Sequence, residues 1–162
     1  MFQGEVLPIG TLLARAQAAP ASEPATDVGV RHTAASNARR STDLLAAGDS
    51  LDACWRFGIL QTLDDDTSTL RRGGVVLAAQ VFSEEPPRTG AVQIDAAFAG
   101  LADYLAERDG WQAPAWADDP IRRTNGWYPA VPDIFRAEAE RESPRAFRER
   151  GILIAGRSLA RT

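Results

Sequence analysis

The segment 92–109 constrains the fold most, because its apolar residues recur at intervals of three or four positions. It reads VQIDAAFAGLADYLAERD, and the residues that share the apolar stripe are Ile94, Ala97, Phe98, Leu101, Tyr104 and Leu105. Such spacing places them on one face of an amphipathic α-helix. Gly110 follows in the position that commonly ends a helix, and Trp111 is placed to fold back over the last turn. At least one long helix must therefore be buried against the rest of the chain.

The chain is predicted to form one helical domain behind a short N-terminal extension. Its 162 residues, 44% hydrophobic and 25% charged, are typical of a globular domain that buries its own core. Residues 7–17 are predicted to be a short helix, and the following stretch, AAPASEPATDVG, has the composition of a linker. We therefore expect the extension over 1–30 and a single helical domain over 31–162.

Further helices are predicted ahead of the central segment. The first covers 33–47 and ends at Gly48, and Ser50 then caps a second helix that runs to about Leu63. The stretch DDDTSTLRRGGV that follows is expected to be an acidic turn and then a flexible glycine turn. The apolar run 75–82 fits either a buried strand or a buried helix, and its alanines favour the helix.

The segment 111–132 is rich in turns and in aromatic residues. Trp116, Trp127 and Tyr128 are expected to fill gaps in the core from this irregular segment. Pro132 fits the first position of a further short helix.

A helical corner is predicted in ESPRAFRERGI, residues 142–152. Ser143 is expected to be its N-cap and Pro144 its first helical residue, while Phe147 anchors it in the core and Gly151 ends it. Together with the other segments, this corner predicts a mostly α protein. We expect a compact helical domain of five to seven helices with an aromatic-rich, irregular C-terminal segment.

Charge is distributed unevenly along the chain. Residues 1–120 carry 9 Arg and 17 Asp or Glu, a net charge of −8, whereas residues 121–162 carry 9 Arg and 5 Asp or Glu, a net charge of +4. The main body is thus expected to repel phosphates and the C-terminal part to attract them. All 18 basic side chains are arginine, which favours bidentate contacts with an anionic partner.

The C-terminal arginines are the candidate partner-binding or anion-binding residues. They are Arg148, Arg150, Arg145, Arg122 and Arg123. Aromatic residues among them would suit the stacking of nucleic acid bases. The intervening glutamates fit an ordinary surface of mixed charge equally, with Arg145 paired to Glu149 four residues later. On that interpretation, Arg148 and Arg150 are the better candidates for a partner.

Catalytic, metal-binding and phosphate-binding patterns are missing from the sequence. His32 is the only histidine, and Cys54 is the only cysteine and lies on the apolar face of a predicted helix. The sequence therefore contains no zinc-binding pattern, and it contains no nucleophile elbow and no glycine-rich phosphate loop. We expect no enzymatic activity, no cofactor and no metal.

Three features of the sequence predict where the protein is located. A lone cysteine is typical of a protein in the reducing cytoplasm. The first residues lack the layout of a secretory signal, since Glu5 stands where positive charge is expected. No apolar run approaches the roughly 20 residues that cross a bilayer. We expect a cytoplasmic protein with no membrane partner.

The motifs of the C-terminal half also carry a family resemblance. Pro114 and Trp116, the pair Trp127–Tyr128, and the run SPRAFRERGI together resemble a group of small actinobacterial helical proteins. The stretches LLAAGDSLDACWRF and RTGAVQIDAAFAGLADYLAERDGWQAPAW resemble the same group, so the resemblance covers about residues 40–160. These proteins are encoded beside helix-turn-helix regulators or nucleotidyltransferase-like toxins. The resemblance implies an antitoxin-like or regulatory protein, and it implies no catalytic residue.

Three functions remain open at this point. The leading hypothesis is a non-enzymatic cytoplasmic binding protein that contacts a protein encoded nearby, with the acidic body covering a basic surface of that partner. The first alternative is a nucleic-acid-binding regulator that uses the C-terminal arginines. The second is an enzyme with an unfamiliar site, for which the carboxylates Asp118 and Asp119 are the candidates.

Overall fold

The computed structural model describes residues 30–160, which are mainly helical and include no β-strand. The helices are α1, Ala34–Ala46; α2, which joins Leu51–Cys54, the π-helical turn Trp55–Leu60 and Gln61–Ala79; α3, Val92–Asp109; α4, Arg136–Glu142; and α5, Arg145–Arg148. Short 3-10 helices lie at Gln80–Phe82, Ala115–Asp118, Asp133–Phe135 and Gly156–Leu159. These five helices confirm the predicted mostly α class. The helix predicted at 7–17 and the linker up to residue 29 lie outside the described residues.

Side-chain caps and a glycine fix the corner between α1 and α2. Thr33 and Ser36 form a capping box, in which each hydroxyl accepts the backbone N–H of the other residue, at 3.1 and 2.9 Å. Gly48 ends α1 with a φ of 88°, a conformation that suits glycine. Ser50 caps α2 by accepting the N–H of Ala53. The predicted end of α1 and the predicted cap of α2 are both confirmed.

α2 extends well beyond its predicted end at about Leu63. The acidic turn expected there is helical, so that prediction is wrong, whereas the glycine turn is present as a kink at Gly74 between two helical stretches. Thr67 and Thr69 donate their hydroxyls to the carbonyls of Leu63 and Asp65, four residues earlier, so these polar groups are satisfied within the helix. A break comes only at Gly74, whose φ of 80° and ψ of −174° favour glycine.

The run 75–82 is helical, as its alanines predict. Ala78, Val81 and Phe82 are buried, whereas Val76 is 80% exposed. The run is therefore the amphipathic end of α2 and not a fully buried element. Its uninterrupted apolar sequence conceals this difference between its two sides.

α3 has the bounds that the sequence predicts and occupies the centre of the fold. Residues outside the predicted stripe are buried as well, namely Asp95, Ala96, Ala99, Gly100, Ala102 and Ala106. The helix contacts the π-helical turn of α2, the 3-10 helix Ala115–Asp118 and α5. Small residues permit these contacts, because a Cβ at Gly100 would lie only 3.0 Å from the Phe147 ring. The helix is thus surrounded, and not merely covered on one face.

Aromatic rings fill the core around α3. Phe147 is fully buried, as predicted, and lies edge-on to Trp55 with ring centroids 6.1 Å apart. Trp127 packs edge-on against the same indole at 5.9 Å. Trp111 folds back over the end of α3, as predicted, and stacks on Phe82 at 5.8 Å. These contacts join α2, α3 and α5 to the irregular C-terminal segment.

The aromatic residues of the segment 111–132 divide between the core and its edge. Trp116 and Trp127 are half-buried against the core, and the Trp116 indole donates to the carbonyl of Phe82 at 3.1 Å. Tyr128 lies outside this core, and its hydroxyl donates to Glu140 at 2.6 Å. The expected core position of Tyr128 is therefore corrected, because its phenol finds a charged acceptor outside the core.

The turn before α4 also differs from its prediction. Pro132 precedes the 3-10 helix Asp133–Phe135, and α4 begins only at Arg136, so Pro132 is not its first residue. Ile134 in this turn is 82% exposed. The fixed φ of Pro132, here −59°, directs the chain into the 3-10 helix instead.

The corner at α5 keeps its predicted end but not its predicted start. Pro144, and not Ser143, is the capping residue of α5. The Ser143 hydroxyl donates to the carbonyl of Ile152 at 2.9 Å and accepts the N–H two residues further on, so it holds the C-terminal segment. Gly151 ends the corner with a φ of 77°, as predicted, and a Cβ there would overlap the carbonyl of Thr124.

Candidate functional site

Arg122 is a structural residue in this fold. It is 1% exposed, and its guanidinium donates to the carbonyls of Pro86 and Asp95 while it lies 5.2 Å from the centre of the Trp116 ring. Its ion pair with the exposed Glu85, at 3.5 Å, is long. The side chain therefore joins the loop before α3 to the irregular segment, and this burial leaves little of it for a partner to contact.

Arg150 is likewise buried and bonded within the fold. It is 5% exposed, and it donates to the Asp103 carboxylate at 2.8 Å and to the carbonyls of Ala146 and Ala117 at 2.7 Å. Partners of this quality are what a buried guanidinium requires to offset its loss of hydration. The sequence makes Arg150 one of the better candidates for a partner, whereas the structure makes it a link between α3, α5 and the 3-10 helix Ala115–Asp118.

Arg145 lies at the surface within a network of carboxylates. It pairs with Glu149, as predicted, at 2.9 Å, and also with Glu107 at 2.7 Å and Asp103 at 3.1 Å. Burial alone would raise the pKa of Asp103, but its hydrogen bonds from Arg145 and Arg150 outweigh burial and lower that pKa. The charge of Arg145 is therefore neutralised by three carboxylates of the same chain.

The last two candidate arginines differ from each other. Arg148 is exposed, yet it donates to the carbonyls of Glu140 and Arg141 at 2.9 and 3.0 Å, at the end of α4. Such contacts satisfy carbonyls that a helix end leaves open. Arg123 is exposed and makes no hydrogen bond or ion pair within residues 30–160. The five arginines thus do not form one cationic surface, because two are buried and two are bonded within the fold.

A cleft of about 420 Å³ lies beside the start of α2. Its walls include Asp52, Trp55, Arg56, Phe57, Leu60, Pro129, Ala130 and Ser158. Phe57 is 50% exposed, which is unusual for an aromatic side chain. The cleft therefore combines a concave shape, an apolar ring and a cation.

The π-helical turn Trp55–Leu60 presents two side chains of this cleft. Within the turn, Trp55, Gly58 and Ile59 face the core, while Arg56 and Phe57 are exposed. The turn packs closely on α1, because a Cβ at Gly58 would overlap the Ser41 hydroxyl. π-Helical turns occur frequently at functional sites, where the extra residue shifts side chains from their regular positions. Here the turn places a cation and an aromatic ring together at the surface.

The facing wall contains an unusual backbone conformation. Ala130 has a φ of 50°, and it is the non-glycine residue with a positive φ in the described part of the chain. Its N–H donates to the Asp52 carboxylate at 2.9 Å, which holds the wall against the start of α2. Positive φ at a residue with a side chain is costly and often occurs at binding sites.

The positive charge of Arg56 is uncommitted. It makes no hydrogen bond or ion pair within residues 30–160. Asp52 stands four residues before it, at the spacing of a helical ion pair, but the carboxylate accepts from Ala130 and no bond joins it to Arg56. A bidentate donor therefore stands exposed at the cleft.

A second unusual group, the carboxyl group of Asp66, is buried where α2 meets the end of α3. Its side chain is fully buried, and Oδ1 has no hydrogen-bond partner among residues 30–160. Oδ2 lies 3.4 Å from Arg108, which is bonded more closely to Asp109 at 2.8 Å. Burial raises the pKa of Asp66 to about 6, although Arg108 opposes this effect. The ionised carboxylate of Asp66 therefore destabilises the folded protein at neutral pH.

Residues 30–160 show no group placed for cysteine nucleophilic catalysis or for metal binding. Cys54 is buried, and burial together with Asp49 raises the pKa of its thiol, which disfavours the reactive thiolate. No cluster of three His, Cys, Asp or Glu side chains within 30–160 is placed to hold a metal ion. In the same range, no helix combines the length and the apolar character that crossing a membrane requires.

The sequence contains one signal for the cleft that its helical pattern obscures. The apolar stripe predicted for this helix includes Cys54, Trp55 and Ile59, and Phe57 falls outside it. Aromatic residues and arginine are both enriched in protein interfaces, so this adjacent pair favours a binding surface. The positive φ of Ala130 has no such signal, because alanine is not typical of that conformation.

Known proteins add no further constraint on the site. The chain matches no protein-family model, no curated protein and no solved structure. The resemblance to the actinobacterial group therefore stays a prediction.

Proposed function

We propose that the protein is a non-enzymatic binding protein of the cytoplasm that acts by contact with another protein. In line with the resemblance described above, we propose an antitoxin-like or regulatory role and a partner encoded nearby. The observation that carries the proposal is Phe57, half-exposed in a cleft beside the uncommitted Arg56. Aromatic residues and arginine are the side chains that most often anchor protein interfaces.

The concave setting distinguishes Phe57 from other exposed apolar residues. Ile134 is more exposed, at 82%, but it belongs to neither wall of the cleft. Single apolar residues scattered over a surface are ordinary. Leu60 and Pro129 extend the apolar surface around Phe57, so a partner's side chain would be enclosed there and lose contact with water.

The alternative of nucleic acid binding has less support. Its candidate surface was the set of C-terminal arginines, and only Arg123 of these is both exposed and free of partners within residues 30–160. Affinity for phosphates grows with the number of cations that approach them. Arg123, even together with the exposed Arg141, provides a small part of such a surface. The acidic balance of residues 1–120 also opposes it.

The test is co-expression of the chain with the protein encoded by the adjacent gene, followed by purification through a tag on this chain. We expect a stoichiometric complex, which Phe57→Ala weakens by about 2 kcal/mol or more if Phe57 anchors the interface. Ile134→Ala is the matched control, since it removes a more exposed apolar side chain outside the cleft.

Two results would count against the proposal. The first is that no complex forms with the products of the adjacent genes. The second is that Phe57→Ala and Ile134→Ala leave the complex equally intact. Because Phe57 is half-exposed, its variant is expected to stay folded, and circular dichroism of each variant verifies this.

A further inference from the structure

We infer that the cleft binds a partner segment in which a side-chain carboxylate lies beside an apolar side chain, with Arg56 as the ion-pair partner of the carboxylate. The inference rests on the proposed function and specifies the chemistry of its partner. Two observations support the inference. Several hydrogen-bond donors of the cleft have no acceptor within residues 30–160, and the apolar residues of the cleft lie beside Arg56.

Three donor groups of the cleft have no partner within residues 30–160, and Oδ2 of Asp52 is an acceptor without one in the same range. Arg56 has five N–H groups and no partner within residues 30–160. Trp55, almost completely buried, borders the cleft, and its indole N–H donates no hydrogen bond in that range. The hydroxyl of Ser158 is likewise without a partner there. A ligand that fits these groups must present acceptors, and a carboxylate supplies four acceptor positions with a charge opposite to that of Arg56.

The carboxylate within the cleft does not fill this role. Asp52 accepts the N–H of Ala130 at 2.9 Å, and this bond holds the facing wall in its positive-φ conformation. The same bond also makes a chain-terminal carboxylate a poorer fit to this wall of the cleft. Chain-terminal carboxylates are captured mainly by free backbone N–H groups, and the N–H of Ala130 is already occupied. A guanidinium instead favours the bidentate geometry of a side-chain carboxylate.

The apolar part of the ligand follows from the other walls. Phe57, Leu60 and Pro129 are adjacent to the arginine in the same cleft. An aliphatic side chain next to the acidic residue would cover the Phe57 ring while the carboxylate reaches Arg56. This arrangement shields the ion pair from water and strengthens it beyond that of a fully exposed pair.

The test uses three capped dipeptides titrated into the full chain and followed by two-dimensional ¹H–¹⁵N NMR. The probes are Ac-Leu-Glu-NH2, its neutral analogue Ac-Leu-Gln-NH2, and Ac-Leu-Gln-OH, which carries a chain-terminal carboxylate only. The readout is the indole N–H resonance of Trp55, which Trp55→Phe assigns among the four tryptophans. We expect Ac-Leu-Glu-NH2 to shift it with a Kd about fivefold lower than that of the neutral probe, as one partly shielded ion pair provides.

The variant Arg56→Gln is expected to remove the difference between the charged and neutral probes, and Arg123→Gln, another uncommitted arginine, is expected to preserve it. Equal affinity for all three probes would overturn the inference, and so would a preference for Ac-Leu-Gln-OH alone. The outcome is separable from the proposed function. A partner complex that depends on Phe57 but tolerates Arg56→Gln contradicts the carboxylate inference only, whereas the lack of any complex contradicts the proposed function.

Discussion

Replacement of Asp66 by asparagine is expected to remove a pH dependence of stability that the wild-type protein shows between pH 4.5 and 7.5. Asp66 is fully buried, one of its carboxylate oxygens has no hydrogen-bond partner in the described part of the chain, and its ion pair with Arg108 is 3.4 Å long. Burial raises its pKa from an ordinary 3.8 to about 6 in the folded protein. The folded state therefore keeps a proton that the unfolded chain releases at lower pH.

The sign and size of the effect follow from this difference in pKa. Between about pH 4 and pH 6 the folded state binds more protons than the unfolded state, so the free energy of unfolding falls as pH rises. For pKa values of about 6 and 3.8, the fall between pH 4.5 and pH 7.5 is about 2 kcal/mol, and nearly all of it occurs below pH 7. Asp103 acts in the opposite sense and at lower pH, because its pKa is lowered.

Urea unfolding followed by tryptophan fluorescence at several pH values measures the free energy directly. We expect the wild type to lose about 2 kcal/mol from pH 4.5 to 7.5 and Asp66→Asn to lose less than about 0.5 kcal/mol. Asp43→Asn, which removes an exposed carboxylate from α1, is expected to keep the wild-type change. A wild type whose stability is flat or rises over this range, or a change that survives in Asp66→Asn, would refute the reasoning.

Two further predictions concern the C-terminal corner, and urea unfolding at constant pH measures both. Arg150→Ala is expected to cost about 3–5 kcal/mol, because it leaves two buried carbonyls without their side-chain donor and removes one of the two arginines that bond to Asp103, whereas Arg123→Ala is expected to stay within about 0.5 kcal/mol. Equal effects of the two would contradict a structural role for Arg150. Gly151→Ala is expected to cost more than about 2 kcal/mol, because its Cβ would overlap the carbonyl of Thr124. Gly48 also has a positive φ, but the new Cβ of Gly48→Ala would lie in open space, so a loss of stability of about 1 kcal/mol is expected. A similar loss of stability at both sites would rule out the overlap at Gly151.

The helices that the sequence predicts best are those whose ends carry unambiguous signals. α3 is framed by a clear apolar period and by Gly110, and its bounds match the prediction. α1 ends at Gly48 for the same reason. The end of α2 is predicted too early, because aspartates, threonines and paired glycines are usually turn residues. In this chain the threonine hydroxyls bond to carbonyls within the helix, and Gly73 remains helical, so that the break comes only at Gly74.

The candidate site is harder to predict, because a sequence does not show which charged side chains form bonds within the folded protein. Arg150 and Arg123 look alike in the sequence, yet one is 5% exposed and holds three elements together, while the other has no partner in 30–160. The distinction depends on carbonyls and carboxylates that are distant in the chain. Arg56 has no partner within residues 30–160 for the converse reason, since its neighbour Asp52 bonds to the backbone N–H of Ala130.

The central claim is that this protein contacts a protein partner through the cleft beside the π-helical turn of α2. Hydrogen–deuterium exchange of the chain with and without the partner encoded by the adjacent gene tests it most directly. We predict that binding slows exchange of the amides at 50–57 and 127–131, two segments that contain residues of the cleft walls, and leaves those at 143–150 unchanged. Slower exchange confined to 143–150, with the cleft walls unaffected, would contradict the claim.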